Sequence, residues 1–199
     1  MTRKATEGDF DIRFKNVMVD RFQLPEIDWH VVSDYFQPRK VDKNEFFVSS
    51  GKVCRELSFI EEGVMRYCFF REDGSDTTCV FMREGDFVGD PESFFSRTPS
   101  DKNLQALTNC QLMVITFDRM QQMLREYPQA VRLNAAIDHY VMTKMLDQRT
   151  AILNMDAKER YQKFIEDYPD VIQRVSLNHV ASFLGITQQS LSRLRKEIS

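Results

Sequence analysis

No stretch of this sequence is apolar over the roughly 20 residues that a membrane-spanning helix needs, and its first residues, MTRKATEGDFDIRF, contain no apolar signal core. Both absences predict a soluble cytoplasmic protein without a membrane partner. Cysteine is scarce: the four residues stand singly, with no C-x-x-C pair, and the three histidines lie far apart. Metal or iron–sulfur ligation is therefore not expected. The sequence also lacks a phosphate-cradling glycine loop and an identifiable nucleophile–base pair, which makes an enzyme the weakest of the functions considered.

What the sequence does contain is enough apolar material for a sizeable core, because 42% of its 199 residues are hydrophobic. Its net charge of −3 is unevenly distributed. From residue 158 onward there are seven Lys and Arg against five Asp and Glu, so the acidic excess lies entirely in the preceding part of the chain. The basic residues are modestly concentrated at the carboxy-terminal end, where a polyanionic partner is the natural expectation.

Residues 10–36 have helical periodicity in two pieces, 12–22 and 26–36, and the second begins just after Pro25. The pattern then changes to short strand-like runs separated by turn signals, among which Asp73-Gly74 predicts a hairpin. The runs are 45–48, 57–60, 64–70, 77–81, 104–107 and 112–116. Many short strands with closely spaced turns predict a sandwich or jelly roll. Its inner face is expected to carry the aromatic residues Phe46, Phe59, Tyr67, Phe69, Phe81 and Phe87.

Helical periodicity returns at Asp118, where Gln121 three residues later resembles a capping box, and Pro128 starts a long helix. The apolar stripe of the long helix either covers the sandwich or pairs with the same helix of a second subunit. Polar Lys144 and Gln148 stand near the middle of this stripe and weaken the case for an extended zipper. The stripe consists of Leu133, Ile137, Tyr140, Val141, Met145 and Ile152.

A better capping box, formed by Asp156 and Glu159, predicts a further helix over residues 157–168 that ends before Pro169. Residues 154–156 form the expected hinge between this helix and the long one. The helix is expected to pack against the last two helical patterns of the chain, so that the three together form a carboxy-terminal head.

Residues 176–199 contain two short helical patterns that meet at Gly185, whose access to a positive φ lets the first helix end and the chain turn. Thr187 is a suitable N-cap for the second helix, 188–198. Two short helices joined by a tight turn are typical of the helix-turn-helix, in which the second helix enters the DNA major groove. Because such proteins bind as two-fold dimers, pairing becomes the preferred interpretation of the long helix.

One side of the last helix is apolar and the opposite side is polar and basic. Arginine can pair bidentately with guanine, and glutamine with adenine, so we assign Gln188, Gln189 and Arg193 to bases. Hydroxyl and basic side chains suit phosphates. The residues assigned to the DNA backbone are Thr187, Ser192, Arg195 and Lys196, and Ser190 completes the DNA-binding set. The simpler alternative is a solvated polar face on a small helical hairpin.

Three stretches carry a family resemblance: E-G-D-F-V-G-D at 84–90, E-R-Y-x-x-F at 159–164 and, most specifically, A-S-F-L-G-I-T-x-x-S-L-S-R-L-R-K at 181–196. They resemble the Crp/Fnr family of bacterial transcription regulators. The resemblance implies an α+β fold with amino-terminal helices and a cyclic-nucleotide-binding-like double-stranded β-helix, or jelly roll, over 1–127. A long dimerisation helix and hinge over 128–155 and a helix-turn-helix head over 156–199 would follow. The implied partners are a second copy of the chain and a palindromic site in double-stranded DNA, with RNA polymerase as a further candidate.

The resemblance also places an effector pocket, in which members that bind cyclic AMP carry a Gly-Glu pair and a phosphate-binding arginine. Here Gly89 and Asp90 stand at the Gly-Glu position, and Ser100 stands at the position of the arginine. Arg97 and Lys102 lie nearby in the sequence but out of register. Losing a charge-assisted contact costs roughly 1.5–3 kcal/mol. The pocket is therefore expected to be degenerate, cyclic AMP is predicted not to be the effector, and no cofactor is expected.

Winged members of the family continue beyond the second helix into a β-hairpin, whereas three residues follow Lys196 in this sequence. A missing or truncated wing is therefore expected, with fewer phosphate contacts. The leading prediction is a dimeric, sequence-specific DNA-binding regulator that cyclic AMP does not control. The alternative, favoured by the expected loss of the wing and the acidic total charge, is a ligand-sensing or protein-interaction module of the same fold whose helix-turn-helix binds DNA weakly or not at all.

Overall fold

The computed structural model of the protein describes residues 14, 16, 17, 19–22, 24 and 27–198. Each described residue between 14 and 22 is helical, which agrees with the helix predicted over 12–22. The other residues of that predicted helix, and the predicted start of the second one at Pro25 and Glu26, lie outside the described residues.

The second predicted helix, 26–36, is wrong in extent, because helix α1 spans Trp29–Ser33. The Asp28 carboxylate caps α1 by accepting a hydrogen bond from the His30 N–H at 3.1 Å. The chain is extended again at Gln37, because the proline that follows disfavours a helical conformation at this residue.

An antiparallel roll follows, built from strands β1 (Gln37–Val41), β2 (Phe46–Val48), β3 (Glu56–Glu62), β4 (Met65–Phe70), β5 (Asp76–Met82), β6 (Phe87–Val88), β7 (Asn103–Ala106) and β8 (Cys110–Thr116). Its two sheets have the orders β1-β8-β3-β6 and β2-β7-β4-β5, which confirms the predicted jelly roll. Each predicted run forms a strand whose ends shift by no more than two residues. The sequence pattern misses β6 because it has two residues, and β1 because it is a largely exposed edge strand that contains a proline.

The hairpin predicted at Asp73-Gly74 is confirmed, and it joins β4 to β5. The predicted aromatic inner face is only partly correct. The residues that pack in or against the core of the roll are Phe59, Tyr67 and Phe87. Phe69 lies near the end of β4, just past a register shift in the pairing of β4 with β5, and it is 39% exposed. Phe46 is half-buried, and Phe81 is buried in a second core instead.

The other helices are α2 (Pro91–Ser96), α3 (Phe117–Glu126), α4 (Ala130–Asn154), α5 (Ala157–Asp167), α6 (Val171–Arg174), α7 (Leu177–Leu184) and α8 (Gln188–Ile198). The predicted capping box at Asp118 is wrong, because Thr116 caps α3 by accepting a hydrogen bond from the Arg119 N–H at 3.4 Å. The box formed by Asp156 and Glu159 is confirmed. Among the residues that the structure describes, we find no helix whose length and hydropathy would let it traverse a bilayer.

Arg174 lies just before the helix-turn-helix and is helical. This residue ends α6, because the Val171 carbonyl accepts a hydrogen bond from the Val175 N–H at 3.1 Å and closes a helical turn. Val175 itself is extended and leads into the helix-turn-helix.

Two hydrophobic cores organise the packing. The first fills the roll and includes Phe14, α1 and the start of α4. The second joins the roll to the head, because Phe81 of β5 packs against aromatic rings of α5 and α7. The centroid of the Phe81 ring lies 5.8 Å from that of Phe164 and 5.1 Å from that of Phe183. The predicted domain boundary between residues 155 and 156 thus lies between two helices, but the second core contains residues from both sides of it.

Candidate nucleic-acid interface and effector pocket

Backbone hydrogen bonds around Gly185 close the turn between α7 and α8. This glycine adopts a φ of 67°, and the Ile186 N–H donates to the Ala181 carbonyl at 3.0 Å. At the start of α8, the Thr187 hydroxyl accepts a hydrogen bond from the Ser190 N–H at 3.1 Å. The helix-turn-helix therefore forms at the predicted residues, with the glycine and the N-cap in their predicted roles.

Helix α8 buries one of its sides within the head. Leu191 is fully buried and Leu194 packs beside it, in a core shared with Val180, Ala181 and Leu184 of α7. Because Leu191 and Leu194 fix the rotation of α8 about its axis, the opposite side of the helix faces solvent.

Most of the predicted DNA-binding residues lie on that outer side. The exposed ones are Thr187, Gln188, Gln189, Ser192, Arg193, Arg195 and Lys196. Ser190 differs, because it is half-buried and its hydroxyl lies 2.9 Å from the hydroxyl of Thr187. Ser190 thus takes part in the cap of α8, while the other seven residues are brought together on one exposed surface. Their assignments to bases and phosphates stay predictions.

The head docks onto the roll through α7, which covers β5 at the edge of its sheet. The Thr78 N–H donates to the Ser182 hydroxyl at 3.0 Å, and this hydroxyl donates to the Asp76 carbonyl at 3.4 Å. The Ser182 side chain thus satisfies one backbone donor and one backbone acceptor of the edge strand β5. If these groups were left unpaired, they could pair with a strand of another chain.

A buried arginine lies beneath this contact. Arg66 is only 2% exposed, and it forms an ion pair with Asp76 at 2.5 Å and two hydrogen bonds with the Gln105 side chain. Its Nη1 also lies 2.9 Å from His179 Nδ1 in α7. The hydrogen bond from Arg66 lowers the pKa of Asp76, and burial together with the charge of Arg66 lowers the pKa of His179. The neutral imidazole is therefore the form that the docked head favours.

Two ion pairs extend the contact between the roll and the head. Arg174 binds the Glu84 carboxylate through both terminal nitrogens, at 2.9 and 2.7 Å, and Arg83 pairs with Asp170 at 2.6 Å. Burial raises the pKa of Glu84, but hydrogen bonds from Arg174 and from the Gly63 N–H outweigh it and leave the pKa below its ordinary value. Sequence reasoning misses this set of contacts, because pairing between residues some 90 positions apart leaves no local pattern.

The predicted effector pocket contains a carboxylate that is already paired. Asp90 is buried, accepts a hydrogen bond from the Ser100 hydroxyl at 2.6 Å and pairs with Lys102 at 3.3 Å. Arg97 is placed elsewhere, because it ends α2 and its guanidinium lies 5.3 Å from the centroid of the Phe117 ring. Four of the five predicted pocket residues are therefore neighbours, and Arg97 stacks away from them.

The backbone at Gly89 leaves no room for a side chain. A Cβ added at this residue would lie 2.5 Å from Leu57 Cδ2, and the φ of 142° is one that other residues rarely adopt. The Tyr67 hydroxyl donates to the Gly89 carbonyl and ties this turn to β4. A ligand that approached Asp90 would have to displace Ser100 or Lys102 from its carboxylate.

Helix α4 has two different faces. The interpretation that its apolar stripe covers the sandwich is correct for part of the stripe, and pairing with a second subunit stays a prediction. Leu133, Ile137 and Tyr140 lie against the roll, where the Tyr140 hydroxyl donates to Asp86 at 3.0 Å. Lys144 pairs with the same carboxylate at 2.8 Å. The polar residues near the middle of the predicted stripe thus face the roll. Outside these contacts, the large apolar residues that α4 exposes are Val131, Met142, Met145, Leu146, Ile152 and Leu153.

Known proteins resemble this chain in sequence and in fold. Residues 38–127 match the family model of the cyclic nucleotide-binding domain. The CRP-like protein Clp of Xanthomonas campestris pv. campestris (strain B100) is 24% identical over 181 residues, which cover 83% of this chain and 74% of that protein. Among solved structures, the c-di-GMP responsive global regulator CLP of Xanthomonas campestris has a TM-score of 0.67 at 18% identity, covering 85% of this chain and 89% of that one. FixK2 of Bradyrhizobium japonicum has a TM-score of 0.71 at 15% identity, with coverages of 82% and 84%.

Proposed function

We propose that this chain, in which residues 38–127 match the cyclic nucleotide-binding domain, is a dimeric, sequence-specific DNA-binding regulator of transcription of the Crp/Fnr type. The observation that carries the proposal is the orientation of α8. Its apolar side is locked into the head by Leu191, so that Gln188, Gln189 and Arg193 reach solvent together near its start. These side chains have the donors and acceptors that read base edges in the major groove. As such a regulator, the protein would act in the cytoplasm and have a recognition role rather than a catalytic one.

The exposed apolar face of α4 supports dimerisation. Met142 and Leu146 are 66% and 59% exposed, one turn apart on a helix whose other face is held by the roll. Large apolar side chains in such a row are usually buried by a partner, and a second copy of α4 would bury them symmetrically. A two-fold dimer presents two α8 helices and therefore fits a palindromic DNA site. RNA polymerase bound at a nearby promoter is a further proposed partner.

The environment of Asp90 supports regulation without cyclic AMP. A cyclic phosphate needs a cation that is free to bind it, whereas Lys102 already pairs with Asp90 and Arg97 stacks on Phe117. The position of the expected arginine holds Ser100, whose hydroxyl donates to Asp90. The roll then serves as a scaffold for the head or binds a different effector.

Selection of binding sites from random DNA duplexes with the full chain tests the proposal. We expect enrichment of a palindrome whose half-sites are about 10 base pairs apart, and an affinity that falls steeply with salt concentration. If no sequence is enriched and DNA is not retained even at low salt, the proposal is wrong. The chain would then be better described as a ligand-sensing or protein-interaction module of the same fold.

A further inference from the structure

A cavity of about 320 Å³ lies where the roll, α4 and the head meet. The roll contributes Arg83 and Asp86, α4 contributes residues between 140 and 152 along one of its sides, and α5 and α7 close the other side of the cavity. Gly89, Asp90, Ser100 and Lys102 are not among its lining residues, so it is separate from the effector pocket predicted from the sequence. Its volume is within the range of small-molecule sites, which is roughly 300–1,000 Å³.

The wall of this cavity has an excess of positive charge. Five basic side chains line it against three carboxylates. Asp86 is buried, and Lys144 at 2.8 Å and Arg21 at 3.7 Å compensate its charge. Arg160 donates to two carbonyls, those of Leu184 at 2.9 Å and Met155 at 2.6 Å, and forms no ion pair with the described residues. At least one cation in the wall is thus left without a carboxylate.

Flat aromatic rings stand beside these cations. Phe164 and Tyr168 are stacked with 5.4 Å between their centroids, and the Phe183 ring lies 5.5 Å from Phe164. Lys144 Nζ lies 5.6 Å from the centroid of Tyr168 and 5.9 Å from that of Tyr140. A site that combines ring faces with excess cations suits a molecule that has a flat ring and a negative group.

We propose that this cavity binds a small aromatic anion, with the ring held among the aromatic side chains and the anionic group near Arg160 and Lys163. Lys163 also pairs with Asp167 at 3.0 Å, but both side chains of this pair are partly exposed, so the pair is weak and leaves Lys163 able to bind an anion. The occupant would touch the roll, α4 and the head at once, so its binding would hold the head in its docked position. This site goes beyond DNA recognition and does not depend on it.

Fluorescence titration of the full chain with 1-anilinonaphthalene-8-sulfonate, an aromatic anion, tests the site. We expect one saturable site per chain, with affinity lowered about tenfold or more by Arg160→Gln and by Lys163→Gln. Lys158→Gln removes the same charge from an exposed residue of α5 outside the cavity, and it should bind the probe like the parent. Thr143→Trp, an enlargement of an exposed lining residue, should block binding. N-phenyl-1-naphthylamine, which has the rings without the sulfonate, should bind more weakly.

Because Arg160 also supports the head, the Lys163 and Thr143 variants decide the outcome if Arg160→Gln unfolds. Absence of saturable binding to the parent overturns the proposal. The proposal is also overturned if Lys163→Gln and Thr143→Trp bind the probe as tightly as the parent does. The same conclusion follows if Lys158→Gln loses as much affinity for the probe as Lys163→Gln does. The titration contains no DNA, so these outcomes are independent of the selection experiment on duplexes.

Discussion

Arg66 Nη1 in the roll and His179 Nδ1 in the head are 2.9 Å apart, on the two sides of the interface that docks one onto the other. A guanidinium can only donate, so the imidazole must accept, and its Nδ1 must be unprotonated. The nearby Asp76 carboxylate favours the protonated ring, but burial and the charge of Arg66 outweigh it and lower the pKa of His179. The docked head therefore depends on a neutral histidine.

Stability should consequently fall with pH below about 6.5, the ordinary pKa of histidine. The unfolded chain binds the proton more readily than the folded one, so the free energy of unfolding rises with pH in this range. Urea denaturation at pH 7.5 and 5.5 measures the difference. In His179→Gln, whose amide oxygen can still accept a hydrogen bond from Arg66, the difference in unfolding free energy between the two pH values should shrink. His139 is exposed, so His139→Gln should show the same difference as the parent. An unchanged difference in His179→Gln would contradict the assignment.

Truncating Phe81 should destabilise the chain strongly. The ring is fully buried between the roll and the head, and losing such a ring costs about 3–5 kcal/mol. Phe70→Ala is the matched control, because Phe70 lies on the neighbouring strand β4 and is 51% exposed, and it should cost much less. Chemical denaturation of both variants checks this, and similar losses would mean that the second core is not formed.

Two substitutions in α8 should affect DNA binding differently. Arg193→Ala should cost about 1–3 kcal/mol of specific binding and relax the base preference at one position. Lys196→Ala should weaken binding to all sequences about equally and reduce the slope of log affinity against log salt by about one. Titrations of a selected site and of unrelated duplexes at several salt concentrations measure both effects. Parental behaviour of both variants would exclude α8 as the recognition helix.

A charge on the outer face of α4 should separate the proposed dimer. Met142→Glu combined with Leu146→Glu would place four carboxylates against one another across a two-fold axis, and we expect a monomer by sedimentation equilibrium. Phe70→Glu introduces the same chemistry at an exposed apolar residue of the roll and should leave the dimer intact. A dimer that survives the double substitution must use another surface.

Calorimetry should detect no tight binding of cyclic AMP. Ser100 stands in place of a phosphate-binding arginine, which lowers affinity by roughly tenfold to a hundredfold. Binding in the micromolar range would show that the pairing around Asp90 rearranges for the ligand.

The sequence predicts those features that depend on interactions between residues close together in the chain. Gly185, Thr187 and the Asp156 capping box act within a few residues, and each appears where the pattern places it. The exposure of Phe69 could not be predicted, because the packing of the whole roll decides how far its core covers the end of β4. The partners of Arg66 could not be predicted either. A lone charge in an otherwise apolar run is a hint of an internal ion pair, but the contact with His179 spans 113 positions of the chain.

Neighbouring side chains of one strand, Val80 and Phe81 of β5, point into different cores, the first into the roll and the second into the head interface. Because the two cores share β5, disrupting one core would remove packing contacts from the other. Heating should therefore unfold the chain in a single cooperative transition. A fragment holding only residues 156–199 would leave the rings of Phe164 and Phe183 bare to water, and it should aggregate unless β5 is supplied with it.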